Sequence, residues 1–276
     1  MTRSLFDLTG KVALVTGAGG GFGGSIAEGF AEYGADLLLT DINPVTLQKT
    51  VERVKAQSPE RKVVPFVADM LIADENRAMF AVLDKEFGHI DILVTCAGPA
   101  WTTKPEEMPL EDVERTLRSL GVAKFQLNQE AGKRMLAQGK GSIINIASIA
   151  GFNSLGRGHT SYGMGMAAII QMTRDLSTEW SSRGVRVNVI LPAQVPNENN
   201  GLERRMRANP ALRATFLRGL PIGRLGKSEE FKGPAIFLAS DAASWVTGIV
   251  LPVDGGNLAK NAGGSHPGMP DETASL

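Results

Sequence analysis

The residues best suited to chemistry lie near the start of the chain, where Thr16-Gly17-Ala18-Gly19-Gly20-Gly21-Phe22-Gly23 follows a short apolar run, Val12-Ala13-Leu14-Val15. The run reads as a strand buried on both faces. The segment from Ser25 to Ala31 opens a helical pattern. A glycine-rich turn between strand and helix lets the backbone approach a phosphate, because no Cβ stands in the way. The free N–H groups and positive dipole end of the helix then face the anion. The glycines fall as Gly17-x-x-x-Gly21-x-Gly23 after Thr16, a spacing distinct from the more familiar G-x-G-x-x-G. The competing reading is an ordinary flexible loop, and the next segment weighs against it. Asp36-Leu37-Leu38-Leu39-Thr40-Asp41 reads as a second strand ending in an acid. A carboxylate there accepts hydrogen bonds from adenosine ribose hydroxyls and repels a 2′-phosphate, so Asp41 predicts NAD(H) in preference to NADP(H). It also reads as the N-cap of the helix after Pro44.

The elements that must position these groups alternate along the chain. Further strands are expected at 62–67, 91–95, 141–146, 185–190 and 248–256, and helices at 44–57, 73–87, 110–138, 161–182 and 228–240. This rhythm predicts an α/β fold, a single-domain, Rossmann-type, doubly wound parallel sheet of about seven strands with helices on both faces. Residues 1–260 form the domain in this reading. A polar stretch rich in Asn, Arg and Pro at 196–226 interrupts the rhythm after the sixth strand and reads as a lid over the substrate site. Residues 261–276 read as a flexible C-terminal tail.

Composition excludes several classes. Lysine plus arginine and aspartate plus glutamate balance at 29 each, which gives no electrostatic case for nucleic acid or an anionic membrane. The single cysteine, Cys96, excludes an internal disulfide and fits a reducing compartment. The N-terminus has no apolar signal core and no stretch is long enough to span a bilayer, so a cytoplasmic location is expected. No group of His, Cys, Asp and Glu has metal-ligand spacing.

The Thr16–Gly23 run, together with later landmarks, resembles the classical short-chain dehydrogenase/reductase family over nearly the whole chain, to about Leu258. The landmarks include Arg186-Val187-Asn188 and Val253-Asp254-Gly255-Gly256. The resemblance implies that Asp69, followed by Met70, contacts the adenine ring. It places Cys96-Ala97-Gly98 on the family's Asn-Ala-Gly segment beside the cofactor. It assigns Ser148, in Ile144-Asn145-Ile146-Ala147-Ser148, as the serine that holds the substrate oxygen. Tyr162 becomes the residue that exchanges a proton with that oxygen while hydride moves to or from the nicotinamide. Pro192 and Asn197 fall on the segment near the carboxamide. The resemblance further implies an NAD(H)-dependent oxidoreductase of a small hydroxyl or carbonyl compound, sugar- or polyol-derived. It also implies a homo-oligomer, a tetramer or dimer, with helices 110–138 and 161–182 at one interface.

The resemblance also exposes a degenerate tetrad. The family's lysine, which binds the nicotinamide ribose and lowers the tyrosine's pKa, is Met166 here, and its helix asparagine is Leu120. A phenol with a pKa near ~10 is about one part in a thousand ionised at neutral pH. Losing a cation that shifts it by ~2–3 units forfeits on the order of 3–4 kcal/mol. The expected deficit is roughly two to three decades in rate where the tyrosine acts as base. His159, three residues before Tyr162, carries an imidazole and is a candidate base or relay, against a reading as a polar loop residue. Arg157 and Lys124 are candidate cations, the first more simply an exposed loop arginine, the second a lysine of a long helix facing solvent or a subunit. Two other readings stay open: a catalytically silent NAD(H)-binding subunit, and a non-redox enzyme using Ser148 and Tyr162.

Overall fold

The computed structural model describes residues 4–96, 98–196 and 201–260. Seven strands form one parallel sheet: β1 Val12–Thr16, β2 Asp36–Asp41, β3 Val63–Val67, β4 Ile92–Thr95, β5 Gly141–Ile146, β6 Val185–Pro192 and β7 Val250–Val253. Their order is β3-β2-β1-β4-β5-β6-β7. The central strands carry apolar runs because they face a core on both sides. Ala13, Val15, Leu37, Leu39, Ile92, Val94, Ile144 and Ile146 enter the cluster on one face. Leu14, Leu38, Leu93 and Ile143 enter the cluster on the other. This is the period-two alternation of a strand applied to a sheet with two covered faces.

Helices α1 Gly21–Glu32, α2 Pro44–Gln57 and α3 Ala73–Phe87 follow the first three strands. Chain order reverses between β1 and β4, and the crevice outside their carboxyl ends is where such sheets bind ligands. Asn43, not Asp41, caps α2: its side-chain oxygen accepts from Val45 N at 3.0 Å and Thr46 N at 3.3 Å. The Asp41 carboxylate is therefore not needed at the helix end.

The segment expected as one helix over 110–138 is divided. Helix α4 Leu110–Leu117 and helix α5 Lys124–Gln138 are joined by a π-helical turn at Arg118–Ala123. The hydrophobic pattern on either side is helical, so the wider turn leaves no periodicity signal. Helix α6 Thr160–Trp180 is the second long helix. Two short helices, α7 Leu202–Ala208 and α8 Pro210–Arg218, occupy the polar interruption, and α9 Lys232–Ala239 precedes β7. The expected last strand, 248–256, is shorter than its sequence suggested. The tail 261–276 lies outside the described residues. No helix among the described residues is long and apolar enough to cross a membrane.

A buried polar knot ties α5 and α6 to the sheet. Asn145 on β5 accepts from Thr95 Oγ1 at 2.7 Å and from Asn128 Nδ2 at 2.9 Å. It donates to Asn128 Oδ1 and to Thr173 Oγ1, each at 3.1 Å. All four residues are fully buried. Asn145→Ala strands three partners away from water, and an unsatisfied buried polar group costs about 1–3 kcal/mol. The variant is expected to lose at least about 2 kcal/mol of stability, measured as a lowered midpoint in urea unfolding.

Candidate functional site

The glycine corner is built by close packing. Gly17 takes φ +64 at the end of β1, and a methyl on Gly23 would approach the Gly17 carbonyl oxygen at 2.3 Å. Gly20 precedes α1 with no side-chain cap, so the first N–H groups of the helix have no side-chain acceptor there. A helix end of this kind can receive an anion.

Two adjoining cavities meet at this corner, sharing Gly17, Asp41 and Gly98. The larger, about 460 Å³, is lined among others by Gly21, Phe22, Gly23, Cys96, Ser148, Tyr162 and Pro192. The smaller, about 290 Å³, holds Asp69 and Met70. Thr40 lines it too, and its hydroxyl is buried with no hydrogen-bond partner among the described residues. Among the described residues, no lysine or arginine lines this lobe. The Asp41 carboxylate accepts from Gly19 N at 3.0 Å and Asn43 N at 2.9 Å. Gly19 thus reaches the site by its bond to Asp41 rather than by lining the larger lobe. The backbone of Asp69 is fixed by Glu75, which accepts its N–H at 2.7 Å. Ala97 and Asn197, both expected at the site, lie outside the described residues.

On the opposite wall, Ser148 lies two residues beyond β5 and its Oγ accepts from Ala150 N at 3.1 Å. The same hydroxyl hydrogen-bonds the Tyr162 phenol from the first turn of α6. Desolvation holds Tyr162 above the ordinary phenol pKa, and the Ser148 bond offsets only part of that rise. Tyr162 is therefore a protonated donor at neutral pH. The Cys96 thiol is pushed up to about 12 by burial, so it is a neutral, apolar neighbour.

Met166 and Leu120 are buried together in one apolar cluster with Ile169, Ile170 and Leu191. Of the three candidate replacements for the missing lysine, the structure brings one into the cavity wall. Lys124 is 0 % exposed and turns inward, not to solvent. Its Nζ donates to Ile146 O at 2.6 Å and Thr95 O at 3.1 Å, the carbonyls at the ends of β5 and β4. The signal was a lysine interrupting the apolar stripe Leu120, Leu127, Ala131, Met135 at helical spacing. His159 packs edge-on against the Tyr162 ring, centroids 5.9 Å apart. Its Nδ1 lies 2.9 Å from Arg157 O and 3.0 Å from Gly156 O, so it carries the proton, and the ring does not line the cavity. Arg157 stacks on Phe216 of α8 at 4.9 Å instead of entering the site. Leu202 of α7, not singled out in the sequence, lines the larger lobe.

A family model described as "Enoyl-(Acyl carrier protein) reductase" matches residues 17–257. The chain belongs to the short-chain dehydrogenase/reductase family. It is 36% identical over 261 residues to a 2-dehydro-3-deoxy-D-gluconate 5-dehydrogenase of Escherichia coli K12, covering 94% of this chain and 100% of that one. It is 37% identical over 256 residues to a D-threitol dehydrogenase of Mycolicibacterium smegmatis, covering 92% and 95%. Among solved structures it is similar to a proposed NAD(P)-dependent gluconate 5-dehydrogenase from Beutenbergia cavernae with NADP bound. The TM-score is 0.85 at 35% identity, over 93% of this chain and 100% of that one.

Gly23→Ala is expected to weaken dinucleotide binding at least tenfold, because its methyl must displace the Gly17 carbonyl. Titration by NADH fluorescence measures it, and an unchanged affinity would remove the glycine corner from the site.

Proposed function

We propose that the chain is an NAD(H)-dependent oxidoreductase of sugar- or polyol-derived hydroxyl and carbonyl compounds. The observation that carries this reading is the pair of joined cavities at the β1/β4 crevice. One lobe holds Ser148 and Tyr162, and the other is acidic. The nicotinamide cofactor supplies the hydride donor or acceptor when bound. Gly17, Gly21 and Gly23 would take its phosphates, and Asp41 the adenosine ribose hydroxyls. Asp69 and Met70 would flank the adenine. Ser148 orients the substrate oxygen, and the protonated Tyr162 gives it a proton during carbonyl reduction. His159 supports the Tyr162 ring by packing. The relatives' sugar-acid and polyol substrates support the substrate class. The α7–α8 segment serves as the lid, since Leu202 sits on the cavity. Exposed Val122 in the π-helical turn and Phe125 in the first turn of α5 supply apolar surface for a homo-oligomer. A silent dinucleotide-binding subunit is the second reading, favoured by the apolar Leu120–Met166 pair.

NADH is expected to bind more tightly than NADPH, and Asp41→Ala to narrow the difference at least tenfold; parallel fluorescence titrations check both. Turnover is tested with sugar-acid and polyol panels. Tyr162→Phe is expected to lower carbonyl reduction by roughly two to four decades with NADH affinity retained. Because desolvation raises the phenol's pKa, alcohol oxidation should climb steadily through alkaline pH, read from initial rates. NADH binding with no turnover on any panel would favour the silent subunit.

A further inference from the structure

The apolar pair and the buried lysine belong to one arrangement. Leu120 sits over Gly165 so closely that a methyl there would lie 2.8 Å from Leu120 Cβ and Cδ1. Its Cδ2 crowds Gly98 from the other side, where a Cβ would meet it at 2.7 Å. The wall from which the family's polar pair acts is thus closed by hydrocarbon. One turn beyond Leu120 stands the fully buried Lys124.

Two strand-end carbonyls hold this ammonium in place. No carboxylate among the described residues pairs with Lys124, and its only protein acceptors there are the two strand-end carbonyls. An ammonium has three N–H donors, which leaves one for the cavity. A buried charge without a counter-charge is destabilising relative to an apolar side chain of similar volume. Its retention in the wall that also carries Ser148 and Tyr162 therefore calls for a use in the site.

We propose that Lys124 supplies this site with the positive charge and the exchangeable proton that Met166 cannot, entering from α5 between the ends of β4 and β5. This inference rests on the oxidoreductase reading above. In carbonyl reduction, a C–H bond forms as the carbonyl carbon gains hydride from the reduced cofactor. The carbonyl oxygen takes the Tyr162 phenol proton, leaving a phenolate. Water in the shared cavity relays a proton from the Lys124 ammonium to that phenolate, leaving a neutral amine that solvent then reprotonates. Burial lowers Lys124 from the ordinary lysine range to about 8, so the group exchanges a proton near the working pH. The ammonium is present below that pH and lost above it. The other titratable group acting on Lys124 is the Cys96 thiol, which stays protonated through this range.

Wild type, Lys124→Met, Lys124→Arg and Lys124→Met/Met166→Lys are compared between pH 6 and 10. Thermal melting reports folding, fluorescence and competition titrations give NADH and NAD affinities, and initial rates give carbonyl reduction. In wild type, NAD should gain affinity relative to NADH as pH rises through about 8, because the ammonium repels the positively charged nicotinamide. Reduction should fall over the same range. Lys124→Met should bind NADH within about threefold of wild type, lose at least tenfold in rate, and show neither pH dependence. Lys124→Arg should keep the rate and move the alkaline fall upward, and the double variant should recover at least part of the rate. A folded Lys124→Met with the wild-type rate, pH profile and affinity ratio overturns the inference. If that variant does not fold, an unmoved fall near pH 8 in Lys124→Arg overturns it. Failure of wild type to bind either cofactor overturns the oxidoreductase reading and this inference with it. Normal cofactor binding with a pH-independent affinity ratio sinks the role of Lys124 alone.

Discussion

The ends of β4 and β5 present carbonyls that the sheet does not satisfy, at the place where the chain order makes a crevice. A buried ammonium accepts that duty, bridging Thr95 O and Ile146 O. Around it, Asn145 joins Thr95, Asn128 and Thr173, so the strand ends, α5 and α6 are held as one polar unit inside an apolar shell. The site wall depends on this unit. Ser148 follows Ile146 by two residues, and Tyr162 hangs from the same α6 that Thr173 anchors.

Hydrogen bonding to two carbonyls explains how a lysine is tolerated there but not how its charge is neutralised. Backbone dipoles solvate an ammonium only partly, and the low pKa of Lys124 records the remaining deficit. The same low-dielectric surroundings act in opposite senses on neighbouring groups. They raise Cys96 and Tyr162, which are neutral when protonated, and lower Lys124, which is neutral when deprotonated. One environment therefore drives these groups apart in proton affinity, leaving the lysine the readier proton donor and the phenol the tighter holder, without any direct ion pair.

The architecture was readable because the central strands carry apolar runs and several helices are bounded by turn chemistry, as with Asn43-Pro44 and the left-handed Gly88 after α3. The glycine corner was readable because its demands are steric and local. Two features escaped for different reasons. Lys124 was visible as a misfit in the stripe shared by Leu120, Leu127 and Ala131. The usual preference of lysine for solvent outweighed that signal, and only the strand-end carbonyls, distant in sequence, reverse the preference. The π-turn carried no signal of its own, since a widened turn leaves the apolar spacing on each side unaltered. Within it, Leu120 packs closely against Gly165 of α6.

That turn sets the angular phase between two jobs. Upstream of it, Thr116 Oγ1 accepts from Trp101 N at 3.1 Å and Arg115 covers the Trp101 ring at 4.1 Å. These contacts fix a loop whose Trp101 carbonyl also takes the Ser161 hydroxyl. Downstream, α5 aims its stripe at the sheet. Because an α-helical residue contributes about 100° of rotation and 1.5 Å of rise, one residue more or less at 118–123 re-aims α4 while leaving α5 seated. The turn is in this sense a vernier. It lets the Trp101 loop be re-indexed in whole-residue steps, while the charged floor stays where the strand ends hold it.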